Sequence, residues 1–400
     1  MSRRHPESAN RRTKRTHSLL LSLTVVAAAI PALQGERVEA LPPAVAKTVQ
    51  EAQLLPGQGF TSPSHFASPA AQAAQRMLDE RLKSLGRGFS GDVGIAVKDL
   101  QTGYTAHFDG AGHFPQQSVS KFWVTLTALD KADRGELSLT APVTVRKSDL
   151  TLFNQPIAQL VHANGYTTTL LDLMHRAMQQ SDNTANDFIL WRAGGPEAVR
   201  DFLRRNGIDG IRFGPGERVM QSRIAGMEWK PSYVGGAFYA ARNAVPLSVR
   251  SRSFENYVSD PVDGATPLGI VDALARLKRG ELLSRSSADR LLRIMSNTRT
   301  GPQRLKGGLA PGWSLAHKTG TGQVLGPVQS GYNDIGIVTA PDGRSYAVAV
   351  MIRRTTTPIP RRMALMQNVT RAVIDYSRNL GSYTIARGYA PREQATGASN

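Results

Sequence analysis

The sequence predicts an α+β domain in which an antiparallel sheet, formed by an N-terminal hairpin and the C-terminal strands, is flanked by helices and a helical subdomain. Two observations support this fold class. Apolar residues recur at helical spacing through the middle of the chain, and short alternating or apolar runs bounded by turn residues occur near both ends. We place the domain at residues 72–384, where roughly 310 residues suffice to bury a core.

The first forty residues have the pattern of a signal peptide. A basic stretch with Arg3, Arg4, Arg11 and Arg12 precedes an apolar run at residues 19–33, and residues 38–40 offer a cleavage site. The apolar run is too short to span a bilayer. We therefore predict a periplasmic or secreted protein without a stable membrane span after cleavage; an uncleaved anchor is the alternative. Residues 41–71, rich in Pro, Ala, Gln and Ser, are predicted to be a flexible leader, and residues 385–400 a C-terminal tail.

Composition narrows the chemistry that the chain can perform. It contains no cysteine, which excludes disulfides, thiol catalysis and thiolate metal sites. The net charge of +18 favours anionic substrates or envelope surfaces. Basic residues of the mature part are scattered along helices and do not alternate with aromatic residues, so no nucleic-acid partner is expected. We expect a monomer that needs no cofactor and no metal.

The N-terminal elements follow in order from caps and periodicity. Ser68 is an N-cap with Pro69 in the first turn, and apolar residues at helical spacing follow until Gly86. Residues 92–100 and 104–108 read as two strands joined by a turn at residues 102–103. An apolar helix follows at residues 121–130, and residues 137–165 are expected to be irregular and to wrap the site. Thr169 and Asp172 form a capping box that begins the next helix.

The C-terminal elements are predicted in the same way. Gly195 and Pro196 begin a helix that Gly207 ends, and Thr266 and Pro267 begin another. One more helix covers residues 284–295. Strands are expected at residues 313–320, 332–339 and 346–352, and a last helix begins near residue 360.

A serine and a lysine at the start of the apolar helix form a candidate catalytic pair. Ser118 and Lys121 are three residues apart, so on a helix they share one face. Such a pair can supply a nucleophile and its base, and the helix N-terminus would favour an oxyanion at the serine. A chain of this length should contain roughly one or two S-x-x-K matches by chance, so the pair alone is weak evidence.

Two later motifs change that assessment. Ser181-Asp182-Asn183 and Lys318-Thr319-Gly320 follow the pair in the chain. The ordered trio S-x-x-K, S-D-N and K-T-G resembles class A β-lactamases and penicillin-binding proteins. Residues 331–335 (GYNDI) are similar to a stretch that follows the K-T-G strand in this family, and the resemblance covers about residues 72–384.

The resemblance implies a role for each motif residue. Ser118 is the nucleophile, Lys121 its base, and Ser181 a proton relay between the two lysines. The substrate-binding residues are Asn183, which would also hold Lys121, and Lys318, Thr319, Gly320 and Thr321. Lys318 and Thr319 suit a substrate carboxylate, Gly320 permits close approach to the backbone, and Thr321 offers a second oxyanion N–H. His317 is expected to pack beneath the sheet without a catalytic role.

Glu217 is the best candidate for the base that activates the deacylating water. It lies 36 positions after Ser181, which resembles the spacing of the family's loop glutamate. Met220 and Gln221 replace the leucine and asparagine typical of the family, although the Gln221 amide can still hold a water. Glu228 and Glu255 are alternatives.

Residues 222–262 depart from the family pattern because they add some thirty residues before the helix that begins at Thr266. This insertion is rich in aromatic residues, so a disordered loop is not expected. It forms either a lid or subdomain at the rim of the site or a decoration on the far side. The turn at residues 323–330 lacks the arginine that some members use for the substrate carboxylate.

Three functions remain open at this stage. The first is an exported β-lactamase, acting on β-lactam antibiotics through an acyl-enzyme on Ser118 and thereby conferring resistance. The second is a peptidase acting on the D-Ala-D-Ala end of the peptidoglycan stem peptide, a penicillin-binding protein. The third is a non-catalytic envelope-binding protein on the same scaffold.

Overall fold

Strands from both ends of the chain form the central antiparallel sheet, as the sequence predicts. Its order is β2-β1-β10-β9-β7, with β8 added to β9. Two further pairs, β3 with β6 and β4 with β5, form small separate sheets. The strands are β1 (Asp92–Asp99), β2 (Thr105–Phe108), β3 (Phe114–Pro115), β4 (Pro142–Val145), β5 (Tyr166–Thr169), β6 (Gly264–Ala265), β7 (Ser314–Thr321), β8 (Val324–Leu325), β9 (Val328–Thr339) and β10 (Ser345–Thr355).

Eleven α-helices accompany the strands within the part of the chain that the structure covers. They are α1 (Pro69–Arg87), α2 (Lys121–Asp133), α3 (Leu170–Gln179), α4 (Asn183–Arg192), α5 (Gly195–Arg205), α6 (Glu217–Ile224), α7 (Ala237–Ala244), α8 (Leu247–Ser259), α9 (Pro267–Arg279), α10 (Arg285–Ser296) and α11 (Ile359–Gly388). None of the helices between residues 68 and 388 is long and apolar enough to cross a bilayer.

The structure is a computed structural model that describes residues 68–388. These residues belong to one unit, His65–Asn400. The predicted signal peptide and most of the leader lie outside the described residues. Helix α1 begins at Pro69, inside the segment assigned to the leader, and α11 continues past residue 384 to Gly388. The remainder of the predicted tail also lies outside the described residues.

The sheet is buried on both faces, which makes three layers. Along β1, Ile95 and Val97 pack in one core with α1 and α11, whereas Ala96 packs in the other core with the middle helices. β10 continues this alternation, since Val348 and Ala349 belong to opposite cores. Successive side chains of a strand point to opposite faces, so a sheet covered by helices on both sides needs apolar residues at nearly every position.

Side-chain hydroxyls begin three helices as predicted, although only half of the capping box at Thr169 forms, because the Asp172 carboxylate accepts from Thr168 Oγ1 and Arg176 Nε instead. The Ser68 hydroxyl accepts from Ala71 N at 3.2 Å, and the Thr169 hydroxyl accepts from Asp172 N at 3.2 Å. The Thr266 hydroxyl likewise accepts from Gly269 N at 3.0 Å. Helix α2 is buried from its first residue through Leu129, which explains its continuous apolar sequence.

The segment at residues 137–165 is more ordered than predicted. β4 lies within it and pairs with β5, directly before α3. Each of these strands has only four residues, and their side chains are mostly exposed or partly exposed. A run this short carries too few alternating positions for its pattern to be recognised in the sequence.

The insertion at residues 222–262 is helical and packs beside the helix that carries Glu217. A 3₁₀ turn (Pro231–Gly236), α7 and α8 account for most of it. Phe254 and Tyr257 of α8 form a small core with Met220 and Ile224 of α6. Of the two placements that the sequence left open, the structure therefore has the insertion beside the predicted site.

Candidate active site

Ser118 lies in a tight turn that leads directly into α2. A 3₁₀ turn (Gln117–Ser120) precedes the helix, and Gln117 has a φ of +53°, in the left-handed region. Ser118 is only half-buried, whereas every other residue from 114 to 129 is buried. The serine hydroxyl is thus the accessible group of an otherwise buried segment, and backbone in a rarely populated conformation is typical of catalytic sites.

The turn is fixed by hydrogen bonds from distant segments. Gln117 N donates to Asp263 Oδ2 at 2.8 Å. Asn333 Nδ2, on β9, donates to Pro115 O at 2.7 Å and to Gln116 O at 3.1 Å. Burial raises the pKa of Asp263 to about 7. The backbone that carries the nucleophile is therefore held by partners from both the sheet and the segment that follows the insertion.

Lys121 contacts both the Ser118 hydroxyl and the Glu217 carboxylate. Its side chain is fully buried, and Nζ donates to Ser118 Oγ at 3.0 Å. The same Nζ forms a short ion pair with Glu217 Oε1. Since both oxygens contact one nitrogen, Ser118 Oγ and Glu217 Oε1 are no more than two hydrogen-bond lengths apart, about 6 Å.

Glu217 is the first residue of α6 and is held from its backbone and its carboxylate. Asp187 Oδ1 on α4 accepts from Glu217 N at 2.9 Å, in the manner of a helix cap. Burial and the nearby Glu217 carboxylate raise the pKa of Asp187 to about 6. Gln221 Nε2 donates to Glu217 Oε2 at 3.2 Å and to Gln117 Oε1 at 3.0 Å. Gln221 thus links the base candidate to the nucleophile turn.

The second serine and the second lysine also meet. Ser181 lies between α3 and α4 with a φ of +60°, and its Oγ accepts from Lys318 Nζ at 2.9 Å. Lys318 is fully buried, and it also donates to Thr319 O at 2.8 Å. Burial, followed by the positive charges of Lys121 and Arg304, holds the pKa of Lys318 well below its ordinary value. A lysine with a lowered pKa gives up its proton more readily than an exposed lysine does.

Asn183 has a different hydrogen-bond partner from the Lys121 contact that we predicted, and its contact with the substrate amide stays a prediction. It begins α4, and its side-chain Nδ2 donates to Leu152 O at 2.8 Å. A hydrogen bond to Lys121 is absent from its contacts within residues 68–388. Leu152 lies in the segment between β4 and β5, so the Asn183 amide fixes that segment to the start of α4. Lys121 is held by Ser118 and Glu217 instead.

β7 carries the K-T-G motif at the edge of the central sheet. The strand pairs with β9 on one side only, which leaves its other edge toward the nucleophile turn. A Cβ on Gly320 would lie 2.3 Å from Gln116 O. Gly320 is therefore required for contact between this strand and the nucleophile turn, and the close substrate approach that we predicted stays a prediction.

His317, as expected, lies under the sheet. It is buried and shares a hydrogen bond of 2.8 Å between its Nδ1 and Asp334 Oδ1. Asp334 Oδ2 also accepts from Leu305 N at 3.1 Å. These contacts fasten β7 to β9 and to the segment that precedes β7.

Arg304 is a site residue that the sequence analysis missed. Its Nη1 donates to Gly320 O at 2.9 Å, and its Nη2 donates to Thr321 Oγ1 at 2.5 Å. The guanidinium lies over the Tyr332 ring, 3.8 Å from the centroid. An arginine is thus present beside the K-T-G strand although the turn at residues 323–330 has none. Its position ten residues before β7 gave no local signal.

The insertion contributes one side chain to this network. Tyr257 OH, on α8, accepts from Gln117 Nε2 at 2.6 Å and donates to Asp263 Oδ1 at 3.0 Å. Burial, together with the Asp263 carboxylate, raises the pKa of Tyr257 well above its ordinary value. A hydrogen-bonded path therefore runs from the insertion through Gln117 and Gln221 to Glu217.

The two alternative glutamates are engaged at the surface. Glu228 pairs with Arg223 at 3.6 Å, and Glu255 pairs with Arg354. Both carboxylates are substantially exposed. Glu217 is the one of the three that contacts Lys121. In the described part of the chain, no group of three or more His, Cys, Asp or Glu is arranged to hold a metal ion.

Three features occur together in this site: an edge strand with the K-T-G motif, a turn that carries Ser118 beside Lys121, and Ser181 hydrogen-bonded to Lys318. This combination defines the class of serine enzymes that includes β-lactamases and penicillin-binding proteins. The sequence profile of the Beta-lactamase enzyme family matches residues 77–377. The chain belongs to this family and is a serine hydrolase of the class A β-lactamase type, which confirms the resemblance and the fold class.

Individual relatives agree with this assignment. A beta-lactamase of Bacteroides uniformis is 29% identical over 76% of this chain and 93% of its own. The extended-spectrum beta-lactamase PER-1 of Pseudomonas aeruginosa is 28% identical over 78% of this chain and 91% of its own. Among solved structures, the TLA-3 extended-spectrum beta-lactamase is 26% identical with a TM-score of 0.63, covering 76% of this chain and 99% of that one. An ancestral class A beta-lactamase has 28% identity and a TM-score of 0.59, covering 74% and 99%.

Replacing Gly320 by Ala should lower kcat/KM for a β-lactam by roughly 100-fold, because a displacement of about 1 Å at a reacting group can cost that much. The added methyl would overlap Gln116 O and push the nucleophile turn away from β7. Steady-state hydrolysis of nitrocefin measures the effect. Gly88→Ala, which adds the same methyl at the end of α1, is the matched control. Unchanged kinetics in Gly320→Ala would show that the strand and the turn need not be in contact.

Proposed function

We propose that this protein is an exported β-lactamase that opens the β-lactam amide through an acyl-enzyme on Ser118. The observation that carries the proposal is that Lys121 Nζ contacts both Ser118 Oγ and the Glu217 carboxylate. Ser118 thus has beside it a lysine that can relay its proton, and it has a carboxylate within reach of the ester that would form. Export rests on the N-terminal sequence pattern alone.

Acylation would begin with attack of Ser118 Oγ on the β-lactam carbonyl. The hydroxyl proton passes to Lys121 or through it to Glu217, and the C–N bond of the ring breaks as the ester forms. The departing nitrogen takes a proton from Ser181 Oγ, and Lys318 Nζ returns one to Ser181 over the 2.9 Å contact. The proton that Ser118 gave up then passes back to Lys318, which restores both lysines and leaves Glu217 as a carboxylate for deacylation. The lowered pKa of Lys318 supports this relay because a fully basic ammonium would release its proton too slowly.

Binding would use the free edge of β7. An extended substrate can pair with this strand, and the backbone N–H groups of Ser118 and Thr321 would then face the developing oxyanion. Lys318, Thr319 and Arg304 place cationic and hydroxyl donors beside the same strand, where they suit the carboxylate carried by penicillins and cephalosporins.

Deacylation distinguishes a β-lactamase from a penicillin-binding protein. The ester on Ser118 must be attacked by a water whose proton goes to Glu217, after which the proton returns to the leaving Ser118 oxygen. Glu217 is buried and within about 6 Å of Ser118 Oγ, a span that one water can bridge with two hydrogen bonds. This arrangement favours a β-lactamase over a D-Ala-D-Ala peptidase or a non-catalytic binding protein.

Nitrocefin turnover by the purified protein, with Ser118→Ala as control, tests the proposal. We expect multiple turnovers by the native chain and none above background by the variant. Stable labelling by a fluorescent penicillin without turnover would instead indicate the peptidase, and the absence of both labelling and turnover would indicate a binding protein.

A further inference from the structure

Two arginines of the insertion line a cavity beside the turn that follows the K-T-G strand. The cavity has a volume of about 160 Å³ and lies between Arg242 of α7, Arg250 of α8 and the turn at residues 323–326. This volume corresponds to roughly five liquid waters. The cavity can therefore hold a carboxylate or sulfonate group with part of its hydration.

Neither arginine has a negatively charged partner in the described part of the chain. The Nε atoms of Arg242 and Arg250 are shielded from solvent and have no hydrogen-bond acceptor within residues 68–388. The Arg242 guanidinium lies over the Tyr239 ring, 5.3 Å from its centroid, which orients it without neutralising it. Two cations that share one cavity repel each other, and buried donors without acceptors are unfavourable. A bound oxyanion would reduce the repulsion between the two arginines and would accept hydrogen bonds from their Nε donors.

The acidic residues nearest in sequence do not supply that anion. Each of the three acids of the insertion forms an ion pair with an arginine that does not line the cavity. The pairs are Glu228 with Arg223, Glu255 with Arg354, and Asp260 with Arg212. Because the acids of the insertion are paired with other arginines, Arg242 and Arg250 give the cavity a positive charge.

The cavity is close to the place where a substrate would lie. Val324, which lines it, is three residues after Thr321, so their Cα atoms are at most about 11 Å apart. Gln323, also in its lining, donates from Nε2 to Gln221 O at 2.8 Å, and Gln221 contacts Glu217. A substrate paired with β7 could extend a side chain from the reacting carbonyl into this space.

We propose that Arg242 and Arg250 form an anion subsite that binds a negatively charged group on the acyl side chain of a β-lactam. The inference rests on the proposed function, since it assigns a substrate preference to the same site. It concerns the side chain of the substrate and is separate from the ring carboxylate, for which Lys318, Thr319 and Arg304 are the proposed partners.

The test compares benzylpenicillin with carbenicillin, which differs from it by one carboxylate on the acyl side chain. In the double variant Arg242→Gln/Arg250→Gln we expect kcat/KM for carbenicillin to fall at least tenfold, mainly through KM, while kcat/KM for benzylpenicillin stays within about twofold. The matched control is Arg252→Gln, an exposed arginine of α8 outside the cavity that removes the same type of charge. This control should leave kcat/KM unchanged for both penicillins.

A binding measurement separates this inference from the proposed function. In a Ser118→Ala background, calorimetry should show tighter binding of carbenicillin than of benzylpenicillin, and the double substitution should abolish the difference. This result would support the subsite even if the native chain hydrolysed neither compound. Equal effects of the double variant on both penicillins, or equal binding of both before substitution, would overturn the proposal. Competition by inorganic phosphate without any preference for carbenicillin would show a site for free oxyanions and would overturn it as well.

Discussion

Replacing Glu217 by Gln should trap the acyl-enzyme and lower steady-state β-lactam turnover by roughly 10²–10⁴-fold, the range that a general base contributes. The carboxylate is buried, contacts Lys121, and lies within reach of an ester on Ser118. Gln preserves the size of the side chain and can still accept a hydrogen bond, but it cannot take a proton from water. The ester therefore forms and persists.

Rapid mixing with nitrocefin should give a burst of one equivalent followed by slow turnover. Intact-mass spectrometry after addition of benzylpenicillin should show one covalent adduct that Ser118→Ala lacks. Glu228→Gln is the matched control, because it removes a carboxylate that pairs with Arg223 at the surface of the insertion. Native turnover in Glu217→Gln would exclude Glu217 as the deacylation base. Loss of both burst and adduct in a variant that still shows a cooperative urea transition would mean that Glu217 also serves acylation.

The motif residues could be predicted because the residues of each motif are adjacent or nearly adjacent in the sequence. Ser118 and Lys121 are three residues apart, and the S-D-N and K-T-G triplets are continuous. The structure brings these segments together at hydrogen-bond distance. The caps at Ser68, Thr169 and Thr266 were recognisable for the same reason, since a capping hydroxyl acts on an N–H only three residues away.

The supporting residues could not be predicted, because each acts across a long stretch of chain. Asp263 holds the backbone of Gln117 from 146 residues away, and Arg304 reaches Thr321 only because both flank the edge of one sheet. Tyr257 lies in the insertion, and the sequence pattern did not indicate where the insertion packs. Such partners are chosen by tertiary structure, and a local pattern contains no information about them.

The second large effect concerns stability and the pairing of Lys121 with Glu217. Lys121→Met would leave a buried carboxylate without its cation, and Glu217→Gln would leave a buried ammonium without its anion. Breaking a buried pair from one side typically costs about 3–5 kcal/mol, whereas replacing both partners is often close to neutral. We therefore expect each single variant to lose about 3–5 kcal/mol of unfolding free energy and the double variant to lose no more than either single variant.

Urea unfolding at 25 °C, with unchanged m-values, measures the four free energies of this cycle. The exposed pair of Arg354 and Glu255 is the matched control, since Arg354→Met and Glu255→Gln should be coupled by less than about 1 kcal/mol. Additive losses at Lys121 and Glu217 would show that their charges do not depend on each other. Strong coupling would mean that the same contact keeps a lysine and a glutamate buried beside Ser118 and also fixes the geometry that both catalytic steps require.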